Sequence, residues 1–245
     1  MTKIIFLFMA VIAACTSTPK KRTIADEIID RAIEASGGRK YQNCRVEFDF
    51  RGRHYVGERK GGKYQYERIF TDSTGLIRDV MDNLRFKRFR NDAEIAVADT
   101  MAAKYSRSVN SVLYFALLPY GLNDPAVNKT YLGEGELAGI KYDKVQVTFD
   151  EQGGGEDHED VFVYWINKEN AYIDYFAYSY ATDGGGMRFR KANNPRIING
   201  LRFQDYENYK PEDENAIALE NMDIAFESKT LTLLSVIETE NITVE

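Results

Sequence analysis

The sequence predicts a mainly β (α+β) protein in which one large, curved antiparallel sheet encloses two helices. Three observations favour this fold class. Short strand-like segments follow one another in hairpins, without a regular alternation of strand and helix. Two segments carry apolar residues at helical spacing. The central strands are apolar on both faces, so each face needs a cover. We count about ten to twelve strands, with neither an internal repeat nor a domain linker.

Composition limits the class of protein before any motif is considered. The chain has 245 residues, of which 44% are apolar and 13% aromatic, so it can bury a core and is not a disordered chain. Its net charge of −6 argues against a general nucleic-acid binder, which needs a basic surface. Two cysteines cannot form a disulfide framework. The length fits one domain, which we place at residues 23–245.

Residues 1–14 are typical of a lipoprotein signal peptide. Lys3 precedes an apolar run, 4–12, that is far shorter than the roughly 20 residues that span a bilayer. The run ends in Ile12-Ala13-Ala14-Cys15, which resembles the bacterial lipobox. This resemblance implies cleavage before Cys15 and a diacylglycerol on its sulfur, and therefore a membrane anchor of acyl chains. An ordinary signal peptide followed by an unmodified cysteine is the alternative.

A short polar tether, 15–22, follows the predicted cleavage site. Pro19 and three basic residues keep it extended and solvated. Position 16 holds threonine, whereas the lipoprotein family's rule for inner-membrane retention in some bacteria requires aspartate there. The resemblance therefore implies a lipid-anchored protein of the bacterial cell envelope, in the outer membrane and facing the periplasm or the cell surface.

The first helix is predicted directly after the tether. Thr23 with Asp26 three residues later is typical of a capped helix start, and Gly37-Gly38 is typical of a helix end. Apolar side chains recur between them at positions 24, 28, 29, 32 and 33. We expect an amphipathic helix of about 13 residues whose apolar stripe needs a sheet or a groove to cover it.

The second helix is predicted from Asp99 to Leu118 and ends at Pro119 and Gly121. Its apolar stripe comprises positions 101, 105, 109, 112, 113, 116 and 117. From Val112 onward the helix is apolar on nearly every side. This indicates burial all round, or a lid over a cavity.

Strand signals fill the rest of the chain. In its first half they lie at 45–51, 54–58, 64–70, 76–81 and 84–90. In its second half they lie at 130–137, 142–150, 161–166, 172–180, 187–192, 196–198, 201–206, 231–238 and 242–244. Asn199-Gly200 predicts a type I′ hairpin turn. The segment 210–220 shows little periodicity and predicts a loop.

The central strands, 161–166 and 172–180, predict a hollow. Because both faces are apolar, we expect helices to cover one face and the sheet to curl around an interior. Tyrosine suits the wall of such a hollow, since its ring is apolar and its tip is polar. The candidate ligand-lining residues are Val163, Trp165, Tyr172, Phe176, Tyr178, Leu113 and Leu117. The alternative is that every aromatic residue here is packed core.

The order of elements resembles the fold of lipoprotein-localisation factors, which are half-barrels of antiparallel strands whose hydrophobic cavity receives acyl chains. This resemblance covers most of the chain and implies a half-barrel domain. Local strings are also similar to a family of uncharacterised lipoproteins from Bacteroidetes-type bacteria; they are Tyr164-Trp165-Ile166, Ile173-Asp174-Tyr175, Arg188-Phe189-Arg190 and Asp205-Tyr206-Glu207-Asn208-Tyr209. That family has no assigned activity, so it implies no functional residues.

No motif in the sequence indicates catalysis or metal binding. The acidic segment around His158 matches no metal-ligand spacing, and a solvated loop is favoured over a Ca²⁺ site. His54 has no nucleophile motif near it. Asp174 is the best single carboxylate candidate, and we expect it to pair with an arginine. Cys44 is expected to be a small buried apolar group. We therefore expect no catalytic residue, no metal and no cofactor.

Two basic strand segments could form a cationic patch for phosphate headgroups or an acidic partner. They are Arg85 to Arg90 and Arg188 to Lys191. The patch requires the two segments to adjoin. Cross-strand pairing of these cations with the many acidic residues is the alternative.

The patterns together favour a binding module over two other classes. The module is expected to be a monomer that holds an acyl chain, a lipid or another hydrophobic ligand, with the membrane as its other partner through the anchor. A carboxylate-dependent hydrolase of envelope glycan or lipid would need two acids about 5–9.5 Å apart in a cleft. A structural or interaction lipoprotein would have a filled core and an exposed apolar patch.

Overall fold

The computed structural model describes residues 22–155, 157–214 and 216–245. Within these ranges the helices are α1 (Ile24–Ser36), α2 (Asp99–Ala116) and α3 (Met222–Glu227). The strands are β1 (Asn43–Phe50), β2 (Arg53–Lys60), β3 (Lys63–Asp72), β4 (Gly75–Asp82), β5 (Phe86–Arg90), β6 (Ala93–Ile95), β7 (Val127–Leu137), β8 (Ile140–Phe149), β9 (Val161–Asn167), β10 (Ile173–Tyr180), β11 (Gly186–Ile198), β12 (Leu201–Pro211), β13 (Leu231–Ile237) and β14 (Glu240–Val244).

The strands form two antiparallel sheets of seven strands each. The first has the order β14-β1-β2-β3-β4-β5-β6, and the second has the order β13-β12-β11-β10-β9-β8-β7. Helix α2 lies between β6 of the first sheet and β7 of the second sheet in chain order. The predicted mainly β half-barrel is confirmed. The strands are divided between two sheets, and the last strand in the chain, β14, pairs with β1 in the first sheet.

A corner joins the two sheets where β13 leads into β14. Arg196 on β11 binds Asp205 on β12, with Nη1 to Oδ2 at 2.7 Å and Nη2 to Oδ1 at 2.8 Å. The same guanidinium donates to the carbonyl oxygen of Thr239 at 3.0 Å. The register of β11 and β12 shifts between Asn193 and Arg196, beside Pro195, which has no N–H to donate. The two predicted strands 187–192 and 196–198 are therefore one bent strand.

Helix α1 begins and ends as its sequence predicts. The amide of Asp26 donates to Oγ1 of Thr23 at 3.2 Å, and the amide of Thr23 donates to Oδ2 of Asp26 at 2.9 Å. Gly37, at φ 153°, ends the helix in a conformation that favours glycine. Ile28, Ile29 and Ala32 of the apolar stripe are buried in the half-barrel interior, whereas Ile24 at the start of the helix is exposed.

Helix α3 covers the outer face of the second sheet, and the sequence did not predict it. Six residues are too few to show helical periodicity, and a helix this short depends on tertiary contacts. Met222 and Phe226 pack against Trp165 and Phe189 on the sheet. Strand β12 also extends to Pro211, so the predicted loop 210–220 is shorter than expected.

No helix in the described part of the chain is long and apolar enough to cross a membrane. Helix α2 is 18 residues long but carries polar residues through its first half.

A cavity between the second helix and the two sheets

A cavity of about 600 Å³ lies between α2, the β1–β2 hairpin of the first sheet and the inner face of β10–β12. It opens to solvent at one side. Its volume falls within the roughly 300–1,000 Å³ typical of small-molecule sites. Elsewhere in the interior, α1 packs against β7–β9 and α2 packs against the first sheet.

Helix α2 supplies a wall that changes from charged to apolar. The residues that face the cavity recur three and four positions apart, as one face of a helix requires. Lys104 and Arg107 lie in the first half of the helix, and Ser111 follows. Val112 and Phe115 face the cavity in the second half. A ligand that lies along α2 therefore meets cations at one end and apolar side chains at the other.

The first sheet supplies aromatic and cationic residues from the β1–β2 hairpin. Phe50 and Tyr55 face the cavity, and their ring centroids are 6.3 Å apart. Arg51 stacks its guanidinium over Phe50 at 5.1 Å from the ring centroid. Arg53 lies in the same way over Phe70 at 4.9 Å. Cation–π contacts of this kind hold the guanidinium groups at the cavity mouth while leaving them in water.

The second sheet supplies a wall of alternating aromatic and polar side chains. Tyr178, Arg190 and Tyr206 face the cavity from three adjacent strands. Arg190 donates from Nη2 to the hydroxyl oxygen of Tyr178 at 2.9 Å. Its guanidinium lies 4.1 Å from the ring centroid of Phe115 on α2. This contact closes the deep end of the cavity between the helix and the sheet.

The inner core behind the cavity is closed by a pair of tyrosines. The hydroxyl oxygens of Tyr114 on α2 and Tyr164 on β9 are 3.0 Å apart and form a hydrogen bond. Burial raises the pKa of both phenols above the usual value of 10. Both therefore stay neutral and link α2 to the second sheet.

The cavity is cationic in an acidic protein. Its lining contains Arg51, Arg53, Lys104, Arg107 and Arg190 against two carboxylates, whereas the whole chain has a net charge of −6. A cleft of one sign attracts ligands of the other sign.

The two carboxylates of the lining come from a single turn. The amide of Asp160 donates to the carbonyl oxygen of Asp157 at 3.1 Å, so both side chains stand on the same wall. Burial, and then the charge of Asp157, raises the pKa of Asp160 to about 6. In the described ranges, no three histidine, cysteine or acidic residues cluster as metal ligands.

The structure places only some of the predicted lining residues at the cavity. Tyr178 lies on the cavity wall. Phe176 is buried directly behind it, 5.6 Å from Phe115 between ring centroids. Leu113 and Leu117 lie on the side of α2 that packs against the first sheet.

The other three predicted lining residues do not line this cavity. Val163 and Trp165 lie on the outer face, in the cluster that α3 covers. Tyr172 stacks against the guanidinium of Arg202 at 4.0 Å. Strand periodicity shows which residues share a face, but it does not show which face points inward.

The remaining candidates have structural partners. His54 lies between Glu47 and Asp49, with Nδ1 2.8 Å from Oδ1 of Asp49. Oδ1 of Asp174 lies 3.9 Å from Nη2 of Arg202, so Asp174 pairs with an arginine, as predicted. Cys44 is buried, as predicted, and burial raises the pKa of its thiol. Cys15 lies outside the described residues.

The two basic segments lie in different sheets, and the alternative, pairing of these cations with acidic residues, is present at Arg88. Arg88 is on β5 in the first sheet and binds the buried Asp79 with Nε to Oδ1 at 2.6 Å. Arg190 is on β11 in the second sheet. The sequence therefore located Arg190 within a basic strand but missed its contacts with Phe115 on α2 and Tyr178 on β10.

The fold and the cavity define a class: a two-sheet half-barrel whose interior retains a ligand-sized space. The chain belongs to a family of unknown function, DUF6503, whose model matches residues 2–239. No match was found among curated proteins.

Several solved structures resemble this fold. A LolA superfamily protein from Nitrosomonas europaea is 11% identical with a TM-score of 0.49, and the match covers 91% of this chain and 94% of that one. A DUF1329 family protein from Desulfovibrio piger is 11% identical with a TM-score of 0.44, covering 89% and 92%. The lipoprotein LppX from Mycobacterium tuberculosis is 12% identical with a TM-score of 0.27, covering 65% and 88%. At these identities and scores the similarity concerns the arrangement of elements alone.

Proposed function

We propose that this protein is a lipid-anchored envelope protein that binds an acyl chain, a lipid or another hydrophobic ligand in the cavity beside α2. The observation that carries the proposal is the cavity itself. Protein interiors are close-packed, so a space of about 600 Å³ within the half-barrel supports a binding site. Phe50, Tyr55, Phe115, Tyr178 and Tyr206 give it an aromatic lining.

Binding would occur by burial of apolar ligand surface against these aromatic rings. Each buried CH₂ group contributes about 0.8 kcal/mol, so a chain of several carbons gains substantial affinity without specific contacts. The tyrosine hydroxyls and the charged mouth would orient the ligand. In this proposal the protein binds its ligand without catalysis.

Access to the cavity would open between α2 and the second sheet. Helix α2 is tied to the first sheet, because Arg68 donates to Oγ of Ser108 at 2.7 Å and Val109 and Leu113 are fully buried against that sheet. Its contacts with the second sheet include the Tyr114–Tyr164 hydrogen bond and the packing of the half-buried Phe115 against Phe176. We infer that α2 and the first sheet move together as a lid.

The anchor would be a lipid on Cys15, which places the domain at the bacterial envelope through the 15–22 tether. The family match begins at residue 2 and so includes this leader. The outer membrane, facing the periplasm or the surface, is the proposed location.

Native mass spectrometry of the full chain, extracted from its host in mild detergent, tests the binding proposal. We expect a copurified adduct with the mass of a lipid. Ser111→Trp fills the cavity from α2 and should abolish the adduct. Asn110→Trp is the matched control, since Asn110 is exposed and does not line the cavity. An adduct that persists in Ser111→Trp, or no adduct in the wild-type chain, would contradict the proposal.

Intact mass of the same preparation tests the anchor. The mature chain should begin at Cys15 and carry the added mass of diacylglycerol. Cys15→Ala should lack that mass. If the signal peptide of this variant is still cleaved, the chain should also leave the membrane fraction. An unmodified Cys15 in the wild-type chain would refute lipid anchoring and would leave the cavity proposal intact.

A further inference from the structure

A row of polar side chains crosses the inner face of the second sheet. Tyr178 on β10, Arg190 on β11, Asn208 on β12 and Ser235 on β13 make up this polar row. Arg190 and Asn208 are directly opposite in the strand register, as are Asn208 and Ser235. Tyr178 accepts from Arg190, and Asn208 donates from Nδ2 to Oγ of Ser235 at 3.3 Å. Apolar side chains alone would have completed a packed core here.

Arg190 is the centre of the polar row and is only 8% exposed. Its guanidinium is surrounded by aromatic rings, at 4.1 Å from the Phe115 centroid, 5.2 Å from that of Tyr178 and 5.4 Å from that of Phe176. Its Nε atom has no hydrogen-bond partner among the residues that the structure describes. A buried cation with an unused donor indicates an anionic acceptor in the cavity.

Two acceptors of the same cavity wall also lack donors within the described ranges. They are Oδ1 of Asn208 and Oε1 of Gln204. The orientation of the Gln204 amide is fixed, because its Nε2 donates at 3.0 Å to the carbonyl oxygen of Ile173, which can only accept. Buried polar atoms are normally satisfied. Three unsatisfied atoms on one cavity wall therefore point to a ligand with polar atoms of its own.

The mouth of the cavity extends this positive charge to solvent. Arg51, Arg53 and Lys104 are exposed there, and Arg107 lies one turn further along α2. The opposing charges on the lining are Asp157 and Asp160. Cations at the mouth raise the local concentration of anionic ligands and guide them toward Arg190.

We propose that the ligand is an anionic amphiphile, with a carboxylate or phosphate head bound by Arg190 and an apolar chain held by the aromatic lining. This inference rests on the proposed hydrophobic-ligand function and specifies its substrate class. An oxygen of the head accepts from the guanidinium of Arg190, whose Nε is without a partner in the described structure. A charge-assisted bond of this kind discriminates against a neutral molecule with the same chain.

Photocrosslinking of the full chain in nanodiscs tests this proposal. Two probes carry the same diazirine chain, hexadecanoic acid and hexadecan-1-ol, and mass spectrometry identifies the labelled peptides. At equal membrane content, we expect the acid to label cavity peptides about tenfold more than the alcohol, the factor for one charge-assisted hydrogen bond. Arg190→Gln should bring the ratio close to one, and Arg190→Lys should retain part of the preference.

Lys191→Gln is the matched control, because it removes the same charge from the next residue on the opposite face of β11, where Lys191 binds Glu207 at 3.3 Å. This variant should keep the wild-type preference. The wild-type ratio does not depend on any variant, so misfolding of Arg190→Gln would leave the test valid.

The other outcomes separate the two proposals. Equal labelling of the cavity by acid and alcohol in the wild-type chain overturns the anionic head and leaves hydrophobic binding intact. Labelling of the cavity by neither probe overturns both proposals. Millimolar inorganic phosphate is added as a competitor of the acid. If it displaces the acid and the acyl chain contributes nothing to affinity, the site binds a free anion and the amphiphile proposal is overturned.

Discussion

The two faces of strands β9 and β10 are equally apolar in sequence but differ in how they are covered. The outer face, with Val163 and Trp165, is sealed by α3. The inner face, with Tyr164, Phe176 and Tyr178, packs against α2 and borders the cavity. One face is thus a closed core, and the other is a core with a space left in it.

The polar atoms on the two faces show the same difference. On the outer face, Asp223 of α3 accepts from Nζ of Lys144 and from Nε1 of Trp165, each at 3.0 Å. This small network satisfies its members and fixes α3 to the sheet. On the inner face, Arg190 and Gln204 keep polar atoms without partners in the described structure. This difference supports the proposal that the inner face is the binding face.

Trp165→Ala should have the largest effect on stability. Trp165 is fully buried, and its loss should lower the free energy of unfolding by about 3–5 kcal/mol. Asp223 would also lose a donor. Urea denaturation measures the change, and lipid binding by the molecules that remain folded should not change. A loss below about 1 kcal/mol would show that the outer face is not a closed core.

Phe115→Ala should lower the retention of lipid and should reduce stability less than Trp165→Ala does. Phe115 is half-buried and borders the cavity, so its loss should cost less stability than that of Trp165, about 1–3 kcal/mol. Retention of lipid should fall, because the ring that closes the deep end is gone. Urea denaturation and native mass spectrometry measure the two effects. If lipid retention is unchanged while stability falls as far as in Trp165→Ala, the two faces do not differ as described.

A double-mutant cycle on Tyr114 and Tyr164 measures the link between α2 and the inner face. Each single change to phenylalanine leaves the other hydroxyl buried without its partner and should cost about 1–2 kcal/mol. The double variant should cost less than the sum, because both hydroxyls are then absent. Strict additivity in urea denaturation would show that the 3.0 Å contact contributes nothing.

Asp160→Asn should have the smallest effect, and it depends on pH. The pKa of Asp160 is raised from 3.8 to about 6, so the folded state holds this proton more tightly than the unfolded state. The wild-type protein should therefore lose stability relative to Asp160→Asn as pH rises from 3.8 to about 6. Because solvent screens this partly exposed group, we expect about 1 kcal/mol or less.

Urea denaturation of both proteins at several pH values checks this prediction. A difference that grows as pH falls below 3.8 would contradict the sign.

Local patterns predicted most elements but not their partners. The capping residues of α1, the helical stripe of α2 and the Asn199-Gly200 turn each depend on a few neighbouring residues, and the structure confirms them. Helix α3 was missed because its stability comes from Trp165, which lies 58 positions from its partner Asp223. The pairing of β14 with β1 joins the two ends of the described domain, and no local signal encodes it.

The candidate site was predicted in part. The sequence identified Tyr178 and the basic segment that contains Arg190, since periodicity and composition are local properties. It did not separate Phe176 and Tyr178 from Val163 and Trp165 by function, because all four satisfy the same apolar alternation.

The sequence by itself determined the strand and helix periods, the turns, and which side chains share a face, because each follows from the geometry of a few successive residues. Only the tertiary structure decided which face is covered by α3 and which borders the cavity. It also brought Arg190 opposite Asn208 and beneath Phe115. These outcomes depend on contacts between segments far apart in the chain, and such contacts are set by the packing of the whole fold.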